Sequence, residues 1–223
     1  MAEQKEVLEI YQAMEKVVGE ARPVNLDSLV NEAGGPEQVV LVLVDLVQGF
    51  AREGPLASPR VAALIEPITK LAEEALRLGV GITVIRDAHS EDCPEFDQFG
   101  RHCVKGSAEA ELVSELKEVL GPNYIDWPKN CLAAGQAHAQ STVIIVGDCT
   151  DLCVYQAAMG EKLAANARGI RKRVIVPVNL VDTYDLPVEA AKKLGLLPHP
   201  GDFFHLVFLY HLKLNGIELV RLV

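Results

Sequence analysis

The stretch VGDCTDLCVYQAA, residues 146–158, sets Cys149 and Cys153 four positions apart across what reads as a strand end, a tight turn and the first turn of a helix. Two thiols at this spacing could be a redox pair, half of a metal site, or one nucleophile with a bystander. Cys153 falls where unpaired backbone N–H groups and the helix dipole stabilise an anion, an environment expected to lower a thiol pKa and make a nucleophile. The alternative is a small buried hydrophobe, the ordinary fate of a free cysteine. Cys149 sits in the turn itself, where a structural role is the simpler reading. Lys129 follows a Trp-Pro pair that holds the backbone extended, so its amine could sit beside a thiolate and pass protons. Asp45 ends the run VVLVLVD and could orient that lysine or take the thiol proton. In RDAHS, Asp87 and His89 form an Asp-x-His pair, and His102 in GRHCVKGS adds a second imidazole. One carboxylate and two imidazoles with positions left open suit zinc or iron. Glu95 stands between them as a further candidate ligand.

These residues need a scaffold that brings distant segments to one edge. Continuous apolar runs at 39–45, 81–87, 123–128, 142–148 and 173–178 read as buried parallel strands, HLVFLY (205–210) as a sixth, and the C-terminal IELVRLV as an edge strand. Helix-period stretches rich in Ala, Leu, Glu and Lys lie between them. The alternation predicts βαβ units and a doubly wound three-layer α/β/α sandwich, with a mainly parallel sheet of about six strands. In such sheets ligands bind beyond the carboxyl ends of the strands. Asp45, Asp87, Lys129 and the 147–153 turn all fall on that edge. Residues 1–36 read as an N-terminal helical extension and residues 37–223 as the domain.

The chain of 223 residues carries a formal charge of -10, which argues against a nucleic-acid partner. No apolar run approaches the roughly 20 residues of a membrane helix, and the acidic start lacks the pattern of a signal peptide, so a soluble, cytoplasmic protein without membrane association is expected. Five cysteines are an odd number and form no disulfide framework.

Taken in order, VDLVQGF, RDAH, HCVKGS, WPKN and GDCTDLCV resemble the signatures of the isochorismatase-like cysteine hydrolases, and within them the metal-containing nicotinamidase branch, over about residues 38–180. The resemblance implies a triad of Asp45, Lys129 and Cys153, with Cys153 the nucleophile. It also implies a cis peptide bond before Cys149 and an oxyanion hole formed by the backbone N–H groups of Cys149 and Cys153. By the same resemblance Asp87, His89 and His102 hold a divalent metal, zinc first with iron or manganese as alternatives, and Glu95 falls where some members have a further ligand or a supporting group. Phe50 and Phe99 align with the aromatic walls around the substrate ring. The expected function is hydrolysis of a small amide, nicotinamide to nicotinate and ammonia, through a thioester, in a homo-oligomer.

The sequence also departs from that branch. Val47 stands where many nicotinamidases have Gln, NCLAAGQAHA after Lys129 has no aromatic residue, and NLVDTYDLP and HPGDFFHLVFLYHLKLNG match no signature. These departures keep a second reading open, an isochorismatase-type or other amide or carbamoyl hydrolase on the same triad. A third, from another class, is a thiol redox sensor using Cys149 and Cys153.

Overall fold

Every residue of Val39–Val44 and of Thr142–Asp148 is buried, the pattern of central strands covered on both faces. The computed structural model describes residues 2–223. In chain order its strands are β1 (Arg22–Val24), β2 (Val39–Val44), β3 (Gly81–Asp87), β4 (Ile125–Lys129), β5 (Thr142–Asp148), β6 (Arg173–Pro177), β7 (Val181–Asp182) and β8 (Glu218–Leu222). Among the described residues these eight form one sheet in the order β1-β8-β6-β5-β2-β3-β4, with β7 beside β5. All of the strand pairings are parallel. The sheet is the expected doubly wound sandwich, with eight strands in place of about six.

Side-chain alternation along β2 separates the two cores. Val39, Leu41 and Leu43 face one layer, filled by Leu64, Ile65, Ile68 and Ala72 of helix Pro59–Leu78. Val40, Val42 and Val44 face the other, filled by Val154 and Ala158 of helix Cys153–Ala167 and by Leu209 and Leu212. Helix Pro59–Leu78 starts on the Ser58 hydroxyl, which accepts from the Arg60 N–H, and ends at Gly79 in the left-handed conformation.

Three expectations change. HLVFLY is not a strand but the middle of helix Gly201–Leu214, in which Leu206, Leu209 and Leu212 recur at helical spacing and are buried; a short apolar run does not by its period distinguish strand from buried helix. IELVRLV does form a strand, yet β8 lies inside the sheet, because β1 pairs with it and takes the edge. Residues 1–36 therefore do more than form helices Ala2–Gly19 and Leu26–Ala33, since their Arg22–Val24 extends the domain's sheet. No helix among the described residues is long and apolar enough to cross a membrane.

Candidate active site

Four adjacent strands deliver the chemistry to one edge. β4, β3, β2 and β5 are neighbours, and each ends in a polar group: Lys129 on β4, Asp87 directly opposite it on β3, Asp45 just past β2, and the turn to Cys153 after β5. Glycine is required where β5 leaves the sheet. Gly147 has φ +120°, and a Cβ there would lie 2.1 Å from the Val44 carbonyl oxygen. The peptide bond between Asp148 and Cys149 is cis.

Lys129 is the hub. Its buried Nζ lies 2.8 Å from Asp45 Oδ2, donates to Asp87 Oδ1, and approaches Cys153 Sγ at 3.5 Å. Asp45, itself at φ +54°, is oriented by the Asp87 backbone N–H, which donates to its Oδ1 at 2.8 Å. Burial, then the nearby Asp87, pushes the Asp45 carboxyl up to about 6. Burial also opposes ionisation of Asp87, but the Lys129 ammonium and the two histidines outweigh it and hold that carboxyl well below the usual range. For Lys129 itself burial favours the neutral amine, while Asp45, Cys153 and Asp87 together push it well above its ordinary value.

The thiol departs from expectation. Cys153 is the first residue of its helix, so its N–H lacks an intrahelical acceptor. Even so, burial pushes the thiol well above its ordinary value and Lys129 offsets this only in part. A helix start lowers a thiol pKa only while water or fixed charge can hold the thiolate; here desolvation dominates. Burial therefore favours the thiol form of Cys153, and Asp45 is close enough to hydrogen-bond with it. Cys149 is held differently: burial and Asp148 raise its thiol, and its neighbours are Thr183 and the Tyr184 backbone rather than Lys129. All five cysteines are free.

Asp87 joins this group to a second one. Asp87 Oδ2, His89 Nε2 and His102 Nε2 converge, with separations of 3.3 Å for Asp87–His89, 3.6 Å for Asp87–His102 and 3.2 Å for the two imidazoles. His102 Nδ1 lies 2.8 Å from the Gly100 carbonyl, which can only accept, so a neutral His102 turns a lone pair inward at Nε2. A tetrahedral ion with bonds of about 2.0–2.1 Å spaces its ligands about 3.4 Å apart. The three donors therefore fit a divalent metal ion. Glu95 lies outside this cluster, and its Oε1 accepts from the Leu132 N–H at 3.0 Å.

Aromatic rings border the cluster. Phe50 and Phe99 lie 5.7 and 6.5 Å from the His102 ring. Phe96 was not among the residues singled out in the sequence, yet its ring is 5.5 Å from His89 and 5.7 Å from His102. Its position three before Phe99 puts both on one short helical turn, Phe96–Phe99, which was the available signal. Asp148 was also missed: it is buried, its Oδ1 has no hydrogen-bond partner, and burial, then Asp45, pushes its carboxyl well above the usual range.

With this geometry in view, the comparisons with known proteins are specific. Nicotinamidase 1 of Arabidopsis thaliana is 29% identical over 216 residues, covering 82% of this chain and 85% of the plant protein. Among solved structures, the pyrazinamidase of Pyrococcus horikoshii in complex with zinc superposes with a TM-score of 0.63 at 21% identity, over 82% of this chain and 99% of that one. The N-carbamoylsarcosine amidase of Thermoplasma acidophilum gives 0.58 at 23% identity, over 82% and 95%. The family model for the isochorismatase domain matches residues 39–192, more than half of the chain and the whole span from Asp45 to Cys153, and on that match the chain belongs to the isochorismatase family.

Proposed function

We propose that this hydrolase releases ammonia from a small planar carboxamide of the nicotinamide type, through a thioester on Cys153. The observation that carries the reading is the sharing of Asp87: one carboxylate touches the lysine beside the thiol and also completes the metal-competent cluster bordered by three phenylalanines. A nucleophile and a ring-binding wall are thereby held a side chain apart. Kinship with nicotinamidase supports the substrate class.

In the proposed reaction the Cys153 thiol gives its proton to Asp45 as sulfur attacks the amide carbon, and the carbonyl oxygen becomes an oxyanion. The Cys149 and Cys153 N–H groups donate to that oxygen. The neighbouring Thr150 N–H bonds the Asp182 carbonyl, while no backbone acceptor is paired with the Cys149 N–H among the described residues. Such donors each contribute about 10²–10³ in rate. When the C–N bond breaks, the proton held by Asp45 passes by way of Lys129 to the departing nitrogen, which leaves as ammonia. Water then attacks the thioester, giving a proton to Asp45; the carboxylic acid departs and the thiol is restored. Asp87, His89 and His102 would hold the metal, zinc by preference; when bound it supplies a Lewis-acid contact that orients the ring nitrogen or a water. The phenylalanines stack on the ring and exclude water.

The test is ammonia release from nicotinamide, pyrazinamide, N-carbamoylsarcosine and an aliphatic amide by the metal-loaded protein, beside Cys153→Ala. Activity on the pyridine and pyrazine amides that is lost in Cys153→Ala is the expected result. Substantial turnover by Cys153→Ala, or turnover confined to the carbamoyl compound, overturns the reading.

A further inference from the structure

We propose that Asp151 and His199 form a buried brace that sets the orientation of the turn carrying the two oxyanion donors, so that His199 is a positioning residue for the reaction. This rests on the proposed cysteine-hydrolase reading and extends it to the C-terminal segment, which matched no signature in the sequence.

Between the end of β5 at Asp148 and the helix that starts at Cys153, residues 149–152 lie outside strand and helix, and residues 180–205 hold this turn. The Gly147 N–H donates to the Leu180 carbonyl and the Thr150 N–H to the Asp182 carbonyl, at 2.9 and 3.0 Å. The Thr150 hydroxyl meets His205 Nδ1 at 2.8 Å. Arg60 ties the segment down in turn, donating to Asp182 Oδ1 and to the Thr183 carbonyl. Asp151 Oδ2 lies 2.8 Å from His199 Nε2, and both residues are buried.

His199 itself cannot swing. Its Nδ1 donates to the Tyr184 carbonyl at 3.0 Å. Its ring is sandwiched between Tyr184, 3.8 Å away at 12°, and Phe204, 4.4 Å away at 5°. Its backbone exchanges two hydrogen bonds with Leu186, each of 2.8 Å. A ring fixed on both faces, at one nitrogen and at its own main chain is a rigid post, and its remaining nitrogen meets Asp151. Asp151 stands midway between Cys149 and Cys153, two residues from each. A shift of the main chain at Asp151 would displace the turn that carries both donor N–H groups, and oxyanion stabilisation falls steeply with donor misalignment. His199 touches none of the residues assigned to the chemistry, so its effect runs through Asp151.

The experiment uses the metal-loaded full chain and compares wild type with His199→Leu, His199→Gln and Asp151→Ala. Steady-state ammonia release from nicotinamide gives kcat and KM, iodoacetamide labelling of Cys153 followed by mass spectrometry reports thiol reactivity without needing the oxyanion hole, and thermal melting reports the fold. The expected result is a fall in kcat of about 10- to 100-fold in His199→Leu and Asp151→Ala, with KM and the labelling rate within about threefold of wild type. His199→Gln, whose amide can still donate to Asp151, should recover most of the loss. Unchanged kcat in a folded His199→Leu overturns the brace, and so does a fall in which kcat and labelling drop together. If His199→Leu does not fold, Asp151→Ala decides by the same criteria. A wild type inactive on every amide would instead remove the hydrolase reading itself.

Discussion

Replacing Lys129 by Met removes the ammonium that pairs with both Asp45 and Asp87 while keeping much of the length and apolar bulk of the side chain. The lysine side chain is 2% exposed, and the two carboxylates it faces are 1% and 4% exposed, so water cannot take its place. Deleting one partner of such a buried ionic group typically costs about 3–5 kcal/mol, a factor of about 10² or more in the folding equilibrium. The same change breaks the 3.5 Å contact to Cys153 and the route by which the proton reaches the leaving nitrogen. Loss of positioned acid–base catalysis costs about 10²–10⁴ in rate. Urea unfolding followed by far-UV circular dichroism reads the first effect, and ammonia release from nicotinamide reads the second. Lys129→Arg keeps the charge, but its planar fork cannot make the same three contacts from one point, so it should regain stability without regaining activity. A Lys129→Met protein with the wild-type urea midpoint would refute the dependence of the carboxylates on the ammonium. Release of ammonia within tenfold of wild type would take Lys129 off the proton path.

Further outcomes follow from neighbouring residues. Gly147→Ala puts a Cβ 2.1 Å from the Val44 carbonyl oxygen at a φ of +120°, so β2 and β5 must part at the site; a loss of at least about 2 kcal/mol in urea unfolding is expected, with activity lost as well. Burial raises the folded-state pKa of Asp148, so the folded protein holds that proton more tightly than the unfolded chain, and the benefit is lost as pH rises through the folded pKa. Asp148→Asn should therefore gain stability over wild type as pH is raised above the ordinary carboxylate range, and a pH-independent difference would contradict this. After loading with zinc and desalting, wild type should retain about one ion per chain and His102→Ala far less, read by elemental analysis.

The scaffold was legible because buried parallel strands are continuous aliphatic runs: 39–45, 81–87, 142–148 and 173–178 all appear as strands within a residue or two. The site was legible to the extent that its residues end those runs. Where the period was ambiguous, the reading failed: HLVFLY carries no feature that separates a strand from a helix until the Leu206–Leu209–Leu212 face has something to pack on. The edge position of Arg22–Val24 was invisible, since three residues hold no period and only β8 makes them a strand.

Residue types and their order along the chain were enough to nominate Asp45, Asp87, His89, His102, Lys129 and Cys153, because each chemistry demands particular side chains and the motifs surround them. What those side chains do to one another was decided in three dimensions. The register of β3 against β4 puts Asp87 opposite Lys129 and so makes one carboxylate serve two groups. Burial, which no local sequence reports, pushes the Cys153 thiol up where a helix start alone would lower it. And His199, forty-six residues beyond Cys153, meets Asp151 only because the C-terminal segment folds back beneath the turn, a contact set by packing around an aromatic sandwich rather than by spacing along the chain.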